Sequence, residues 1–459
     1  MNLFIHHRDI RISDNTTLLE LQKQEKSVTP IFIFPPEQID RKKNKYFSDS
    51  LVQFMCESLV ELNKKYKKMG NKMYFYKGDT IKVLDSILKK NKINSVGFNL
   101  DYSPYAKKRD NKIIKWCKKN NIKVLAKEDM LLVDVLEGKT LSKNSGDPYK
   151  VFTPFMKFLR SSYKVDKPKK GTLKLTKLKK VKEEIKASDL KKFYIHNDNL
   201  NVKSGRKEAK KKLKLVDKQK KYDEKRNILE YKTTHLSAYI NLGVLSIREV
   251  YHYVLSNLGR NNGIINELYW RDFYYNVLHF FPKVVGNSFK EKYDKIKWNV
   301  DSKGFKKWCE GKTGFPVVDA AMRQMNETGY MHNRARMIVA SFLTKDLLID
   351  WRKGEKYFAT KLQDYNISAN NGGWQWAAGT GTDSQPYFRI FNPWSQSEKF
   401  DPECVYIKRW CPELKNVPNK HIHKWDKFHG DYKVKYPDPM LDHSEARKKT
   451  LAVYKKYLN

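Results

Sequence analysis

Cysteine is scarce in this chain. The five in 459 residues (Cys56, Cys117, Cys309, Cys404 and Cys411) are odd in number, scattered, and form no C-x-x-C pair. That excludes a disulfide framework and points to buried thiols in a reducing compartment. His421 and His423 follow Cys411 at no recognisable zinc spacing, so no metal site is expected. No apolar run reaches membrane-spanning length, and MNLFIHHRD lacks the features of a signal peptide. A soluble, intracellular chain without a membrane partner is therefore expected. Acidic residues are also in short supply: 51 Asp and Glu face 92 Lys and Arg, a formal charge of +41. Such an excess favours polyanionic partners such as nucleic acid, but lysine-rich chains also carry many lysines on merely solvated faces. Charge supports a nucleic-acid partner without establishing one.

The length allows two sizeable domains, and 10 Trp, 27 Tyr and 23 Phe supply ample material for packed cores. Strand-like runs at 2–7, 28–34, 73–76, 95–98 and 124–126 alternate with helical patterns at 16–24, 51–69, 80–88 and 105–118. Asp14 or Asn15 is placed to cap the first helix, and Gly70 to end the second. Such alternation predicts an α/β domain over 1–130, a parallel doubly wound sheet covered on both faces. No glycine-rich dinucleotide fingerprint follows the first strand, so Rossmann-type NAD binding is not expected. Residues 131–221 are expected to be an interdomain linker. From Ser161 onward it turns lysine-rich and aromatic-poor, as in KVDKPKKGTLKLTKLKKVKEEIKAS. Phosphate contacts are the lesser reading for that run, since basic runs are more often only solvated. Residues 222–459 read as all-α. In them Thr233-Thr234-His235-Leu236-Ser237 is expected to open a helix through AYINLGVLS. Hydroxyl residues at a helix start give ordinary capping, or a seat for a phosphate at the positive dipole end.

The densest chemistry lies in 364–393, DYNISANNGGWQWAAGTGTDSQPYFRIFNP. Asn370-Asn371-Gly372-Gly373-Trp374-Gln375-Trp376 combines amides, paired glycines and two indoles. Glycines let backbone approach a bulky group, indoles offer flat surfaces, and amides can both donate and accept. That suits a flat heteroaromatic cofactor gripped at its polar edge. The plainer alternative is a glycine turn between aromatic core segments.

Three stretches, ANNGGWQWAAGTGTDSQPYFRIFNP, ELYWRDFYYNV at 267–277 and EGKTGFPVVDAAMRQMNETGYMHNRARM at 310–337, resemble the photolyase/cryptochrome family. The resemblance runs in order from Asn2 to about Leu451, broken mainly by the lysine-rich middle. It implies an antenna-type α/β domain joined to a helical domain that binds FAD. By this resemblance Tyr222, Thr233, Thr234, Leu236 and Ser237 seat the FAD diphosphate, and Arg271 is a further cofactor contact. Arg336 and Asp364 match an ion pair beside the isoalloxazine, where a guanidinium helps hold negative charge. Asn370 matches the residue facing flavin N5; an Asp there would repel a reduced anionic ring. Asn366 stands where an acidic residue is frequent, and His235 where a basic one is common. Trp374, Trp351 and Trp298 match a tryptophan relay from flavin to surface, although three indoles among ten also suit a core.

The resemblance also implies UV-damaged DNA as partner, with the lesion flipped out of the duplex at a cost of a few kcal/mol. Trp270 and Trp376 match the indoles that clasp it, and stacking returns on the order of 1–3 kcal/mol per base. Glu267 and Asn333 match the groups that bond the thymine edges, while Arg226, Arg334 and Arg389 are candidates for phosphate or pocket-rim contacts. In MHNRARM, His332 is followed by Asn333 and Met337 ends the motif, as in members that split cyclobutane dimers rather than (6–4) photoproducts. A class I, monomeric deoxyribodipyrimidine-splitting enzyme is therefore expected. The alternative is a cryptochrome-like flavin photoreceptor without repair, against which Glu267, Trp270, Met337, Trp376 and the missing long tail argue. Where some folate-using members carry an Asn-Glu pair, this chain has Tyr105-Ala106. That leaves a second, antenna chromophore (methenyltetrahydrofolate or a deazaflavin), a different folate mode, or none.

Overall fold

Every residue of the strand Asn2–Ile5 (β1) is buried, and β1 sits inside a six-stranded sheet. The computed structural model describes residues 1–136, 138–143 and 145–458. The other strands are Thr29–Phe34 (β2), Tyr74–Lys77 (β3), Ser95–Asn99 (β4), Lys123–Lys127 (β5) and Glu184–Ile185 (β6). Their order is β5-β4-β1-β2-β3-β6, with the first five parallel and β6 antiparallel to β3. Parallel neighbours need crossovers, and helices Thr16–Gln24, Asp49–Lys68, Thr80–Lys90 and Pro104–Lys119 supply them. Each starts on a side chain that accepts a backbone N–H: Asn15, Ser48, Asp79 and Ser103 respectively. Leu3, Ile5, Ile31, Ile33, Val96 and Phe98 from the strands pack with Ile113 and Trp116 in one core. The expected α/β architecture is present.

The chain packs as two units: Met1–Asp198, Val202–Lys220 and Thr234–Pro282 in the first, Asn199–Asn201, Lys221–Thr233 and Lys283–Asn459 in the second. The lysine-rich stretch, expected as a solvated linker, is largely built into the first. Besides β6, Leu175 bridges Val28, and Val181, Leu190, Ala209, Leu213 and Val216 are buried. Averaged composition hides how these few apolar residues are spaced. In helix Arg206–Lys214, Ala209 and Leu213 lie four apart on one face, and that face suffices to anchor it.

The first unit also corrects the helix expected to open at Thr233 and run through AYINLGVLS. It spans only Ser237–Asn241, its N-cap is Leu236, and no side chain caps it. His235 and Gly243 bracket it with φ of +50° and +61°. At Gly243 a Cβ would collide with the backbone of Arg8 and Asp9, so the chain turns there. Helix Ile247–Leu258 then starts afresh on a Ser246–Glu249 capping box. Buried charges brace the unit: Arg248 bonds Asp14 at 3.0 Å and Asp129 at 2.8 Å, and Arg11 pairs with the same Asp129.

The second unit is helical. Its core gathers Trp308, Phe315, Met322, Ile338, Phe342, Trp351, Phe358 and Trp374. Among the described residues no helix is long and apolar enough to cross a membrane.

Candidate active site

Asn370-Asn371-Gly372-Gly373-Trp374-Gln375-Trp376 lies wholly inside helix Ile367–Ala378, so its glycines do not form the turn of the plainer reading. The helix starts on Asn366, whose Oδ1 accepts from the backbone N–H of Ser368 and Ala369 at 3.0 and 3.2 Å. One face is buried and carries Asn371, Trp374, Gln375 and Ala378. The opposite face, at spacings of three and four, carries Ala369, Gly372, Gly373 and a half-buried Trp376. A Cβ at Gly373 would meet nothing. The sequence thus lays a strip of bare backbone along the helix, ending at an indole.

Polar groups anchor the buried side. Asn370 Nδ2 donates to the Glu355 backbone carbonyl at 3.0 Å, leaving its Oδ1 free to accept elsewhere. Asn371 Nδ2 donates to Glu355 Oε1 at 3.1 Å, and Gln375 Nε2 donates to Asn371 Oδ1 at 3.0 Å. Burial pushes the Glu355 carboxyl up to about 7, the Asn371 bond opposing it. Nothing in the local sequence singles out Glu355; its role comes from the packing of helix Trp351–Lys361 against helix Ile367–Ala378.

In the same unit Arg336 Nη2 reaches both Asp364 oxygens at 3.0 and 3.1 Å, and its Nε donates to Met331 O at 2.8 Å. Thr233 hydrogen-bonds the Tyr330 hydroxyl, and Tyr222 is buried with the Arg226 guanidinium 5.9 Å from its ring. Asn333 is exposed at the first position of helix Asn333–Ser341, its Nδ2 3.9 Å from the Met337 sulfur one turn on. Arg334 bonds Asn227 Oδ1 at 2.8 Å and lies 4.5 Å from the Phe400 ring, and burial with nearby Arg226 lowers its pKa. Arg389 is exposed.

The expected relay indoles also fall in this unit. Trp374 and Trp351 are buried, and Trp298 is half-buried with its ring 6.2 Å from Tyr454. Trp374 lies where a Cβ on Gly354 would strike its ring. Its ring neighbours are Phe358 at 5.0 Å and Trp308 at 6.0 Å. Sequence reading passed over Trp308, because nothing local distinguishes it from a core indole.

In the first unit Glu267, Trp270 and Arg271 share one face of helix Gly263–Phe280. Trp270 lies flat on Phe152, ring centroids 3.7 Å apart and planes 8° from parallel. Arg271 Nη1 donates to Met130 O at 2.6 Å and to Asp272 Oδ1 at 3.2 Å. Thr234 is half-buried, Leu236 buried and Ser237 exposed. A second polar cluster occupies the carboxyl ends of the strands, where open α/β sheets receive ligands. There Arg109 pairs with Asp110 at 2.8 Å and Arg8 with Asp101 at 3.4 Å, beside a half-buried His7 whose pKa desolvation lowers to about 3.

Comparison with known proteins matches residues 2–172 to the family described as DNA photolyase, and residues 264–456 to the FAD binding domain of DNA photolyase. The deoxyribodipyrimidine photo-lyase of Buchnera aphidicola subsp. Acyrthosiphon pisum is 35% identical, covering 99% of this chain and 96% of the relative. The chain belongs to the DNA photolyase family. Among solved structures, the archaeal photolyase from Sulfolobus tokodaii with two FAD molecules matches at TM-score 0.87 and 37% identity, covering 99% of this chain and 100% of that one. A bacterial class III photolyase from Agrobacterium tumefaciens matches at TM-score 0.90 and 32% identity, covering 100% and 97%. The family's FAD-binding domain coincides with the bare helix face and the Asn370 and Arg336–Asp364 groups. That donor set, an amide oxygen left to accept and a guanidinium in the same unit as the bare helix face, suits a flat ring with a polar edge.

Proposed function

We propose that the chain is a class I deoxyribodipyrimidine photo-lyase, which takes UV-damaged DNA and splits cyclobutane pyrimidine dimers by light-driven electron transfer from reduced FAD. The observation that carries this reading is the amide of Asn370, neutral and tethered to Glu355, with its oxygen free to accept. Reduced FAD, when bound, supplies the electron; the chain's own residues hold it there and position the lesion. Asn370 accepts at N5 without adding negative charge, and Arg336, held by Asp364, places a guanidinium beside the ring. Tyr222, Thr233, Thr234, Leu236 and Ser237 seat the diphosphate, and Arg271 and Asn366 brace the segments around it.

On the DNA side, Trp270, backed by Phe152, and Trp376 offer flat faces to the flipped dimer. Glu267 and Asn333 bond its carbonyl and imide edges, and a proton on Glu267 stabilises charge that develops on the lesion. Arg226, Arg334 and Arg389 take phosphate and rim contacts. Trp374, Trp351 and Trp298 return electrons to the cofactor. The pairing of Asn333 with Met337 favours class I and the cyclobutane lesion. In this reading residues 1–130 form the antenna-type domain, with the His7–Arg109 cluster as the seat of a second pigment, residues 131–221 connect, and residues 222–459 catalyse as a monomer.

The test uses purified protein, a flavin spectrum and an oligonucleotide carrying one thymine dimer. Dimer loss under blue light and none in the dark is expected. Bound flavin without light-dependent dimer loss would favour a photoreceptor, and absence of flavin binding would end the reading.

A further inference from the structure

We propose that Phe152 is a positioning residue for lesion recognition: it fixes the plane of Trp270, so that the connecting segment builds one wall of the dimer site. The inference rests on the reading of Trp270 as a lesion contact, and it gives a recognition role to a stretch expected only to join two domains.

Helix Phe152–Ser162 begins at Phe152 itself. Its N-cap, Val151, is exposed and supplies no side-chain hydrogen bond, so capping does not set where the helix starts. Aromatic packing does. Phe152 and Phe155, three apart on one face, are buried and lie 6.0 and 5.5 Å from the Phe273 ring. Phe273 follows Trp270 by three residues on helix Gly263–Phe280, and its ring stands nearly perpendicular to the indole at 5.7 Å. Phe152 is thereby held flat against Trp270, at 3.7 Å and 8° from parallel.

A tryptophan on a helix has two favoured χ1 wells. An indole free to choose between them must be ordered when a ligand stacks on it, and that ordering weakens binding. Phe152 blocks the swing in advance. Parallel rings this close admit nothing between them, so a base stacks on Trp270 only from the face opposite Phe152. Tyr274, one turn on and 5.7 Å from the indole, is half-buried like Trp270 itself, whereas Phe152 and Phe273 are buried. The accessible surface of the cluster is therefore that of Trp270 and Tyr274. Glu267 stands one turn before Trp270 on the same helix face. Fixing the indole plane thus fixes where a stacked base presents its edge to the Glu267 carboxyl. A residue that only filled the core would need bulk; this role needs a flat ring.

The test measures binding of the FAD-loaded full chain, in the dark, to an oligonucleotide carrying one thymine dimer and to the same sequence undamaged. Phe152→Leu keeps an apolar side chain but loses the flat ring. It should weaken dimer binding by about threefold to tenfold, the worth of one side chain ordered in advance, and leave binding of undamaged DNA unchanged. In a Trp270→Ala background it should have no further effect on dimer binding. Unchanged dimer affinity in Phe152→Leu, an equal loss on undamaged DNA, or the same loss again in the Trp270→Ala background overturns the proposal. Thermal melts and flavin content accompany each variant. Should Phe152→Leu misfold, Phe152→Met, longer and more adaptable but equally without a flat ring, gives the same readings. Trp270→Ala that leaves dimer binding untouched would instead overturn the reading of Trp270 as a lesion contact.

Discussion

Asn370 Nδ2 donates to the backbone carbonyl of Glu355 at 3.0 Å, and this single bond decides which end of the amide is available to a ligand. Asn370→Asp removes the donor and sets carboxylate oxygen against carbonyl oxygen. Stability should fall by about 1 kcal/mol, the low end of the cost of an unmade hydrogen bond, because the site is only partly buried. The bound flavin should also become harder to reduce, because the new charge repels the electron-rich ring. A dithionite titration beside a redox dye measures this; an unchanged or raised potential would contradict the role given to the amide.

Gly354→Ala should destabilise, against the usual trend. Within a helix Ala normally gains up to about 1 kcal/mol over Gly. Here the added methyl would strike the Trp374 ring and Leu343, and overpacking of that kind costs about 1–3 kcal/mol. Thermal melts give the sign, and shifted tryptophan emission should accompany a displaced Trp374.

Glu355 gives a pH prediction with a definite sign. Burial holds its carboxyl at about 7 in the folded protein, against an ordinary value of 4.5. The folded state therefore binds a proton that the unfolded chain releases, and stability falls as pH rises from about 4.5 to about 7. Glu355→Gln keeps an uncharged polar group in place and should flatten that part of the profile, by on the order of 3 kcal/mol across the window. Urea midpoints of both proteins at several pH values test it, the difference between them cancelling other titrations. Parallel profiles would remove Glu355 as the cause.

Arg336→Leu should lower both stability and flavin content. It leaves the Asp364 carboxylate, whose side chain is 7% exposed, without its guanidinium; Arg336 itself is 26% exposed, so solvent offsets part of the loss. A cost of about 2 kcal/mol follows, below that for a fully buried pair. Melts of the flavin-free protein isolate the structural part. The double variant Arg336→Leu/Asp364→Leu should recover some of it, and no recovery would mean that the two residues act separately.

Much of the first unit was legible because its signals are local. Apolar runs mark β1 to β5, and Asn15 announces a helix start that the structure contains. The stretch at 233–245 misled for an equally physical reason. Its hydroxyl residues look like caps, but Gly243 turns against Arg8 and Asp9, residues far away in sequence. The lysine-rich middle misled because a few apolar residues at helical spacing outweigh many lysines that need only reach water.

By itself the sequence determined the strand-helix alternation, the place of the glycine-asparagine-tryptophan motif and the family, since each is written in neighbouring residues. Only the tertiary structure decided that Asn370 is held by Glu355, that Trp270 rests on Phe152 and that Trp374 touches Trp308. Those relationships join segments whose approach is set by packing of the whole core, and burial, which moves the titration of Glu355, exists only once the chain has folded.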